Sequence, residues 1–364
     1  MSGPRLTIRA LRAVAVEVPM RHVLGTSQAA VRAAPLMLID LETEEGVTGR
    51  AYLFCYVPAA AAAIASLIAE IERGVKGERV APLDLWKRLA RRFTLIGVQG
   101  IVRMAMAGFD AACWDALAIG LGQPLAAVLG GSPRPVRAYN SNGLGLMECP
   151  ALADEAEELL EGGFEALKLR LGYPTLAEDL AALHAVRQRV GGEVRIMVDY
   201  NQALSVAEAL ERGRALDREG VAWLEEPIRH DDYRGAARLA RELATPVQIG
   251  ENFSLVQSME QALDAEACDL VMPDLERIGG VTGWQRAAAL AAARGVEMSS
   301  HLFPEVSAHL LAVTPTAHWL EYVDWAAPIL AEPLRVVEGR VQAPDRPGSG
   351  LAWNEEAVAR YRMR

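Results

Sequence analysis

The chain has 364 residues, 51% of them hydrophobic and 23% charged, with a formal net charge of −10. That balance builds a packed globular protein rather than a disordered one, and the length exceeds what a single core usually holds, so two domains are expected. The acidic charge and the lack of any Lys/Arg-rich stretch exclude the footprint of a nucleic-acid binder, and an anionic ligand has to be held locally by a metal or a few placed cations.

In chain order, residues 6–56 read as strands, with an apolar run at 35–41, a turn at 44–47 and a second strand to about Tyr52. The first 20 residues alternate apolar residues with Arg and carry no export signal, and no apolar run is long enough for a membrane span. The Ala-rich stretch 58–68 reads as a buried helix, and helical periodicity continues to about Leu129. Residues 130–135, Gly-Gly-Ser-Pro-Arg-Pro, have the content of a linker and place a domain boundary there. Cys55, Cys113, Cys149 and Cys268 are scattered with no CxxC pair, which suggests neither zinc nor disulfides and fits a reducing cytoplasm.

Beyond Pro135, short apolar runs alternate with helix-length amphipathic segments as far as about residue 335, the signature of a parallel α/β domain. Candidate strands are 136–141, 166–171, 195–201, 221–227, 246–251, 269–274, 296–301 and 318–323. Eight of them suggest a closed (β/α) barrel. Charged or polar residues sit where these runs end: Lys168, Arg170, Asp199, Asn201, Glu225, Glu251, Asp274, His301 and Glu321. Barrel enzymes keep their chemistry at that end.

Asp199 to Glu225 and Glu225 to Glu251 are equal steps of 26 residues, so three consecutive units each deliver one carboxylate to the same rim. A single polar strand end is unremarkable, but three at equal spacing imply a bound cation, and an all-oxygen set selects Mg²⁺ or Mn²⁺ over zinc. Strand alternation turns Glu225 and Glu226 to opposite faces, and the spacing favours Glu225. Asp274 and His301 end neighbouring runs, and an Asp beside a His raises its basicity and fixes its tautomer, which suits a general base. Lys168 and Arg170 share one strand face and need anions; a carboxylate substrate supplies one. Gly279–Gly283 matches neither phosphate-loop spacing and reads as a tight turn, and Ser299-Ser300 lacks the nucleophile-elbow pattern.

The segments Val-Asp-Tyr-Asn-Gln from 198, Leu-Glu-Glu-Pro from 224, Ile-Gly-Gly-Val-Thr-Gly-Trp from 278, Ser-Ser-His-Leu-Phe from 299 and Pro-Thr-Ala-His-Trp-Leu-Glu from 315 resemble the enolase superfamily, and within it the mandelate racemase subgroup, over nearly the whole chain. The resemblance implies a TIM-like modified (β/α) barrel at 134–339 with an α+β capping domain at 1–133, rejoined by the tail 340–364. It implies Mg²⁺ on Asp199, Glu225 and Glu251, with Asn201 beside the metal and Lys168 neutralising the substrate carboxylate. It further implies His301 with Asp274 as the base dyad and Glu321 as the acid on the second carboxylate oxygen. Ser141 and Tyr56 match substrate-pocket positions, and a loop from about Arg21 to Val31 matches a mobile lid. A small-molecule carboxylate substrate, a homo-oligomer and neither nucleic acid nor membrane as partner are expected.

One position departs from the family pattern. Where the subgroup carries Lys-x-Lys, this chain has Lys168-x-Arg170, and a guanidinium stays protonated where a desolvated lysine can act as a base. The lid also reads as polar, with Arg21, His22, Gln28 and Arg32. The expectation is therefore one-base chemistry by His301, such as dehydration of a polar hydroxy or sugar acid. Racemisation of a 2-hydroxy acid is the alternative, and a non-catalytic carboxylate-binding barrel is the alternative from another class.

Overall fold

The structure, a computed structural model, describes residues 5–27 and 30–363. Alternating side chains at the N-terminus build a three-stranded antiparallel sheet of β1 (Ile8–Gly25), β2 (Ala30–Thr43) and β3 (Thr48–Phe54). Gly46, at a φ of +82° that favours glycine, closes the tight turn between β2 and β3. The expected lid loop is largely strand: after a register slip between Pro19 and Leu24, Leu24 pairs with Val31 and Gly25 with Ala30. The β-rich pattern of this stretch wins over the loop reading, and Gln28 lies outside the described residues.

Two helices, α1 (Pro58–Val75) and α3 (Gly100–Gly120), cover the sheet, and α2 (Pro82–Arg92) packs against both of them. Ala61, Ile64, Ile68, Ile71 and Val75 form the buried stripe of α1, so the Ala-rich stretch is amphipathic rather than buried all round. Helix α3, buried on most sides, lies close against β3; a Cβ on Gly49 would sit 2.1 Å from the Ala112 carbonyl oxygen, so only glycine admits this approach.

A short helix, α4 (Leu125–Val128), leads into the barrel. Its strands are β4 (Pro135–Asn140), β5 (Ala166–Arg170), β6 (Arg195–Asp199), β7 (Leu224–Glu225), β8 (Val247–Ile249) and β9 (Leu270–Val271), hydrogen-bonded in that order and parallel. The intervening helices are α5 (Cys149–Glu158), α6 (Leu176–Val190), α7 (Val206–Leu216), α8 (Tyr233–Glu242), α9 (Val256–Asp264), the one-turn α10 (Leu275–Ile278) and α11 (Gly280–Arg294). Both α6 and α7 begin with sequence-encoded capping boxes, Thr175 with Glu178 and Ser205 with Glu208. The expected seventh strand makes only isolated bridges, Val271 to Met298, Met298 to Ala317 and Asp274 to His301. After α12 (Pro304–Val313), β10 (Leu320–Tyr322) pairs in parallel with β4 and closes the barrel.

Past the barrel, β11 (Val336–Val337) and β12 (Arg340–Gln342) add to β4 antiparallel. The chain then returns to the N-terminal sheet: Trp353 donates its indole N–H to Asp40 at 2.7 Å, and after α13 (Glu355–Tyr361) the Met363 N–H reaches the Ala15 carbonyl at 2.9 Å. No helix among the described residues is long and apolar enough to cross a membrane.

Candidate active site

The strand pleat turns Lys168, Asp199, Glu225 and Glu321 inward at the C-terminal ends of their runs, and all four are buried. Carboxylate oxygens of Asp199, Glu225 and Glu251 lie within 4.8 Å of one another, a spacing that one cation can bridge. Lys168 Nζ sits 2.5 Å from Glu225, 2.7 Å from Glu321 and 3.4 Å from Asp199. One ammonium shared by three carboxylates leaves the cluster net negative. Burial would lower the Lys168 pKa, but Glu225, Glu321 and Asp199 outweigh it and hold the side chain charged. Burial pushes Glu225 up to about 8, with Asp199 and Glu321 adding to the shift and Lys168 opposing it. Glu321 goes the other way, down to about 2, because Lys168 and His301 together overcome its burial.

His301 Nδ1 lies 2.6 Å from Asp274 Oδ2, and its Nε2 is 3.2 Å from Glu251. Asp274 is itself fixed: its Oδ1 accepts the backbone N–H groups of Glu276 and Arg277 at 2.8 and 3.0 Å as the N-cap of α10. With Oδ1 occupied, Oδ2 orients the imidazole and leaves Nε2 facing the cavity. Burial alone would lower the His301 pKa; the surrounding Glu251, Glu321 and Asp274 override it and raise the pKa well above the ordinary value. Leu302 and Phe303, just after His301, hold φ near +50°, as do Asn201 and Glu226 with φ of 45° and 37° beside two of the carboxylates. Non-glycine residues in this region store strain, and they gather here at the strand ends.

Arg170 donates to the Gly143 carbonyl at 2.7 Å and to Ser141 Oγ at 3.0 Å, and Ser141 in turn donates to Glu321 at 2.8 Å. Ser141 is fully buried and does not line the cavity; it braces Glu321 and Arg170 from behind, which corrects its expected place in the pocket wall. Glu226, on the other face from Glu225 as alternation requires, accepts the Gly250 N–H at 2.9 Å.

A cavity of about 270 Å³ opens onto these groups. Lys168, Arg170, Asp199, Asn201, Glu251, His301 and Glu321 form its floor. Tyr56 lines it, as expected from the sequence, but within a wall that the sequence did not announce: Leu24, Val31, Phe54, Leu302 and Trp325. The only sequence signal for this wall was the apolar run of the N-terminal strands. Of the residues expected to make the lid polar, the described ones stand off the cavity, which Thr26 of the same stretch does line. Arg21 pairs with Glu158 and His22 faces Glu155, both away from this cavity, and Arg32 is exposed. Arg277 also borders the cavity, its guanidinium 4.7 Å over the Tyr56 ring and bonded to the Glu251 carbonyl at 3.0 Å.

Two family profiles match the chain: the mandelate racemase / muconate lactonizing enzyme N-terminal domain over residues 8–130 and the enolase C-terminal domain-like profile over 151–357. The L-talarate/galactarate dehydratase of Salmonella typhimurium is 31% identical over 348 residues, 94% of this chain and 87% of the relative. The 3,6-anhydro-α-L-galactonate cycloisomerase of Streptomyces coelicolor is 33% identical over 330 residues, 89% of this chain and 91% of the relative. A solved enolase from Bradyrhizobium, complexed with magnesium and mandelic acid, superimposes with a TM-score of 0.95 at 41% identity, covering 99% of both chains. A magnesium-bound enolase from the alphaproteobacterium bal199 reaches a TM-score of 0.97 at 46% identity, covering 98% of this chain and 100% of the other.

Proposed function

Because the chain belongs to the mandelate racemase / muconate lactonizing enzyme family, we propose that it is a Mg²⁺-dependent enzyme in which His301 removes the α-proton of a 2-hydroxy carboxylate and that its net reaction is dehydration. Asp199, Glu225 and Glu251 hold the ion; their all-oxygen donor set supports a hard cation, as do the magnesium-bound neighbours. When bound, Mg²⁺ polarises the substrate carboxylate, making its α-proton more acidic, and takes up the Glu251 charge that otherwise holds the His301 proton in place.

The protein's own groups do the rest. Lys168 neutralises the substrate carboxylate, and Glu321, braced by Ser141, hydrogen-bonds its second oxygen as charge develops there. Asn201 holds a substrate oxygen beside the ion. His301 Nε2 accepts the α-proton, and Asp274 stabilises the imidazolium that forms. The imidazolium then returns that proton to a β-hydroxyl, whose C–O bond breaks to release water. The resulting enol tautomerises to a 2-keto-3-deoxy acid. In this reading residues 1–133 with 340–364 close the site, and residues 134–339 supply the chemistry. Free cysteines support a reducing, cytoplasmic setting.

One observation carries the single-base assignment. His301 is the one imidazole facing the cavity among the described residues, and the position from which a lysine would serve the other face carries a guanidinium tied to Gly143 and Ser141. The test is a screen of aldonic, aldaric and aryl 2-hydroxy acids in D₂O, with deuterium at Cα and 2-keto acid both measured. Deuterium entering one configuration, with keto acid from a 2,3-dihydroxy acid, is the expected result. Exchange with no acid at all would favour a binding protein instead. The apolar wall and the mandelic acid held by the Bradyrhizobium relative support a second reading, racemisation of a 2-hydroxy acid with an apolar substituent. Equal deuterium entry into both enantiomers would select it.

A further inference from the structure

Glu276, two residues beyond Asp274, is a buried carboxyl that the proton transfer itself does not use. Its Oε2 accepts the backbone N–H of Phe54, at the end of β3 in the N-terminal sheet, at 3.1 Å, and Oε1 has no hydrogen-bond partner among the described residues. Its own backbone N–H holds Asp274 Oδ1 at 2.8 Å. An unbroken chain of contacts therefore runs from β3 through Glu276 to Asp274 and on to His301, whose Nδ1 lies 2.6 Å from Asp274. The same strand grips the far side of the imidazole segment: Tyr52 donates to buried Glu305 at 2.6 Å and its ring lies 5.2 Å from that of Phe303, two residues after His301.

We propose that Glu276 is a positioning residue: through it the capping sheet fixes Asp274, and hence the His301 imidazole, at the reacting carbon. This rests on the proposed role of His301 as base. The groups facing Glu276 are Asp274 and Arg277 on its own turn, His301 from the neighbouring segment, and Tyr52, Cys55 and Tyr56 from the cap. A buried side chain with a single hydrogen bond, set beside the Asp274 carboxylate, is accommodated as a neutral acid, and burial raises its pKa in that direction with Asp274 adding to the shift. Neutral Glu276 accepts from Phe54 without pulling on the imidazolium, so a glutamine does the same work. A side chain without an acceptor frees the turn that carries Asp274, and a misplacement of about 1 Å in such a constellation costs on the order of 10²-fold.

The experiment compares the full-length, Mg²⁺-saturated protein with Glu276→Met and Glu276→Gln. The first readout is the low-field proton resonance of the His301 Nδ1–H shared with Asp274, in protein labelled with ¹⁵N-histidine, which needs no substrate. The second is the rate of α-deuterium exchange on an accepted acid, split into kcat and KM. Loss of the resonance and a kcat about 10-fold to 10²-fold lower in Glu276→Met, with KM and Mg²⁺ affinity kept, and recovery of both readouts in Glu276→Gln, are expected. An unchanged resonance in Glu276→Met, or a glutamine variant as impaired as the methionine one, overturns the inference. If Glu276→Met does not fold, Glu276→Ala takes its place under the same criteria. Absence of exchange in the unmodified enzyme would count against the His301 reading alone, because the resonance still decides the role of Glu276.

Discussion

Two layers of side chains fill the barrel, one pleat apart on the same segments, and they differ in every chemical respect. Tyr139, Ala166, Met197, Trp223 and Trp319 form a separate apolar cluster, and two residues later on each segment stand Ser141, Lys168, Asp199, Glu225 and Glu321. The lower layer is buried and offers the charges above it almost no polar partner. The buried cluster above it can then be neutralised only from within, by Lys168, or from the mouth, by a cation and a substrate. Glu225 and Glu321, both within 2.7 Å of the same ammonium, are displaced in opposite directions because His301 and the Leu302 N–H also face Glu321, whereas Glu225 faces further carboxylates. The apolar plug turns a ring of ordinary acids into a site that demands a metal. The layers are also joined, since Trp223 donates its indole N–H to Glu225 at 3.0 Å and Lys168 lies 5.9 Å above the Tyr139 ring.

The strongest way to break the comparison is to neutralise the upper layer chemically. Glu225→Gln should abolish Mg²⁺ binding, measured by calorimetry, and α-exchange with it. Its melting temperature in chelator should fall little, because Lys168 keeps Glu321 and Asp199 as partners and the glutamine carbonyl still accepts from Trp223. A variant that keeps its Mg²⁺ affinity would show that the plug does not force a metal on the site. The next effect is on proton transfer alone. His301→Asn should lower α-exchange by about 10²-fold or more, while Asp199, Glu225 and Glu251 go on binding Mg²⁺. A smaller loss would place the base elsewhere in the upper layer.

The contact between the layers gives a finer test. Trp223→Phe keeps the apolar plug but removes the donor to Glu225, and partners that orient a metal ligand are worth about 10-fold to 10²-fold in metal affinity. A titration should place the loss near the lower end, because Lys168 also holds Glu225 at 2.5 Å. Unchanged affinity would mean that the lower layer serves only as filler.

The two layers were not equally legible. The charged rim was readable because each charge ends an apolar run, and because Asp199, Glu225 and Glu251 repeat at the spacing of one strand-helix unit. The strands beneath were less so: β7 and β9 are two residues long and the stretch 296–301 pairs only by bridges, since regular hydrogen bonding ends where the chain turns out into the site. The apolar wall was not legible. Leu24, Val31 and Phe54 meet Trp325 only because the N-terminal sheet folds over the barrel mouth, and nothing local in residues separated by about three hundred positions signals that contact. The lid illustrates the same limit, because Arg21 and His22 look polar in sequence but spend their polarity on Glu158 and Glu155. Glu276 carried no signal either, since its partner Phe54 lies in the other half of the molecule.

The smallest expected effect concerns Arg170, which stands one pleat beyond Lys168 on β5 without belonging to the charge cluster. Its guanidinium is spent on the Gly143 carbonyl and Ser141, and its Nε is buried with no hydrogen-bond partner among the described residues. A lysine there would keep one positive charge but lose the fork that spans both partners. Lysine differs in a second respect: set in a desolvated site near the Lys168 cation, it can release its proton at a working pH, which arginine cannot. Arg170→Lys should therefore open a weak second route, with deuterium entering the configuration that His301 does not serve, at roughly one hundredth of the His301 rate if the new base is poorly placed. Double substitution with His301→Asn isolates that route, because exchange into the second configuration beyond that of His301→Asn alone must come from the new lysine. No deuterium in the second configuration of either the single or the double variant would show that the geometry of this position, and not the basicity of its side chain, keeps the chemistry one-sided.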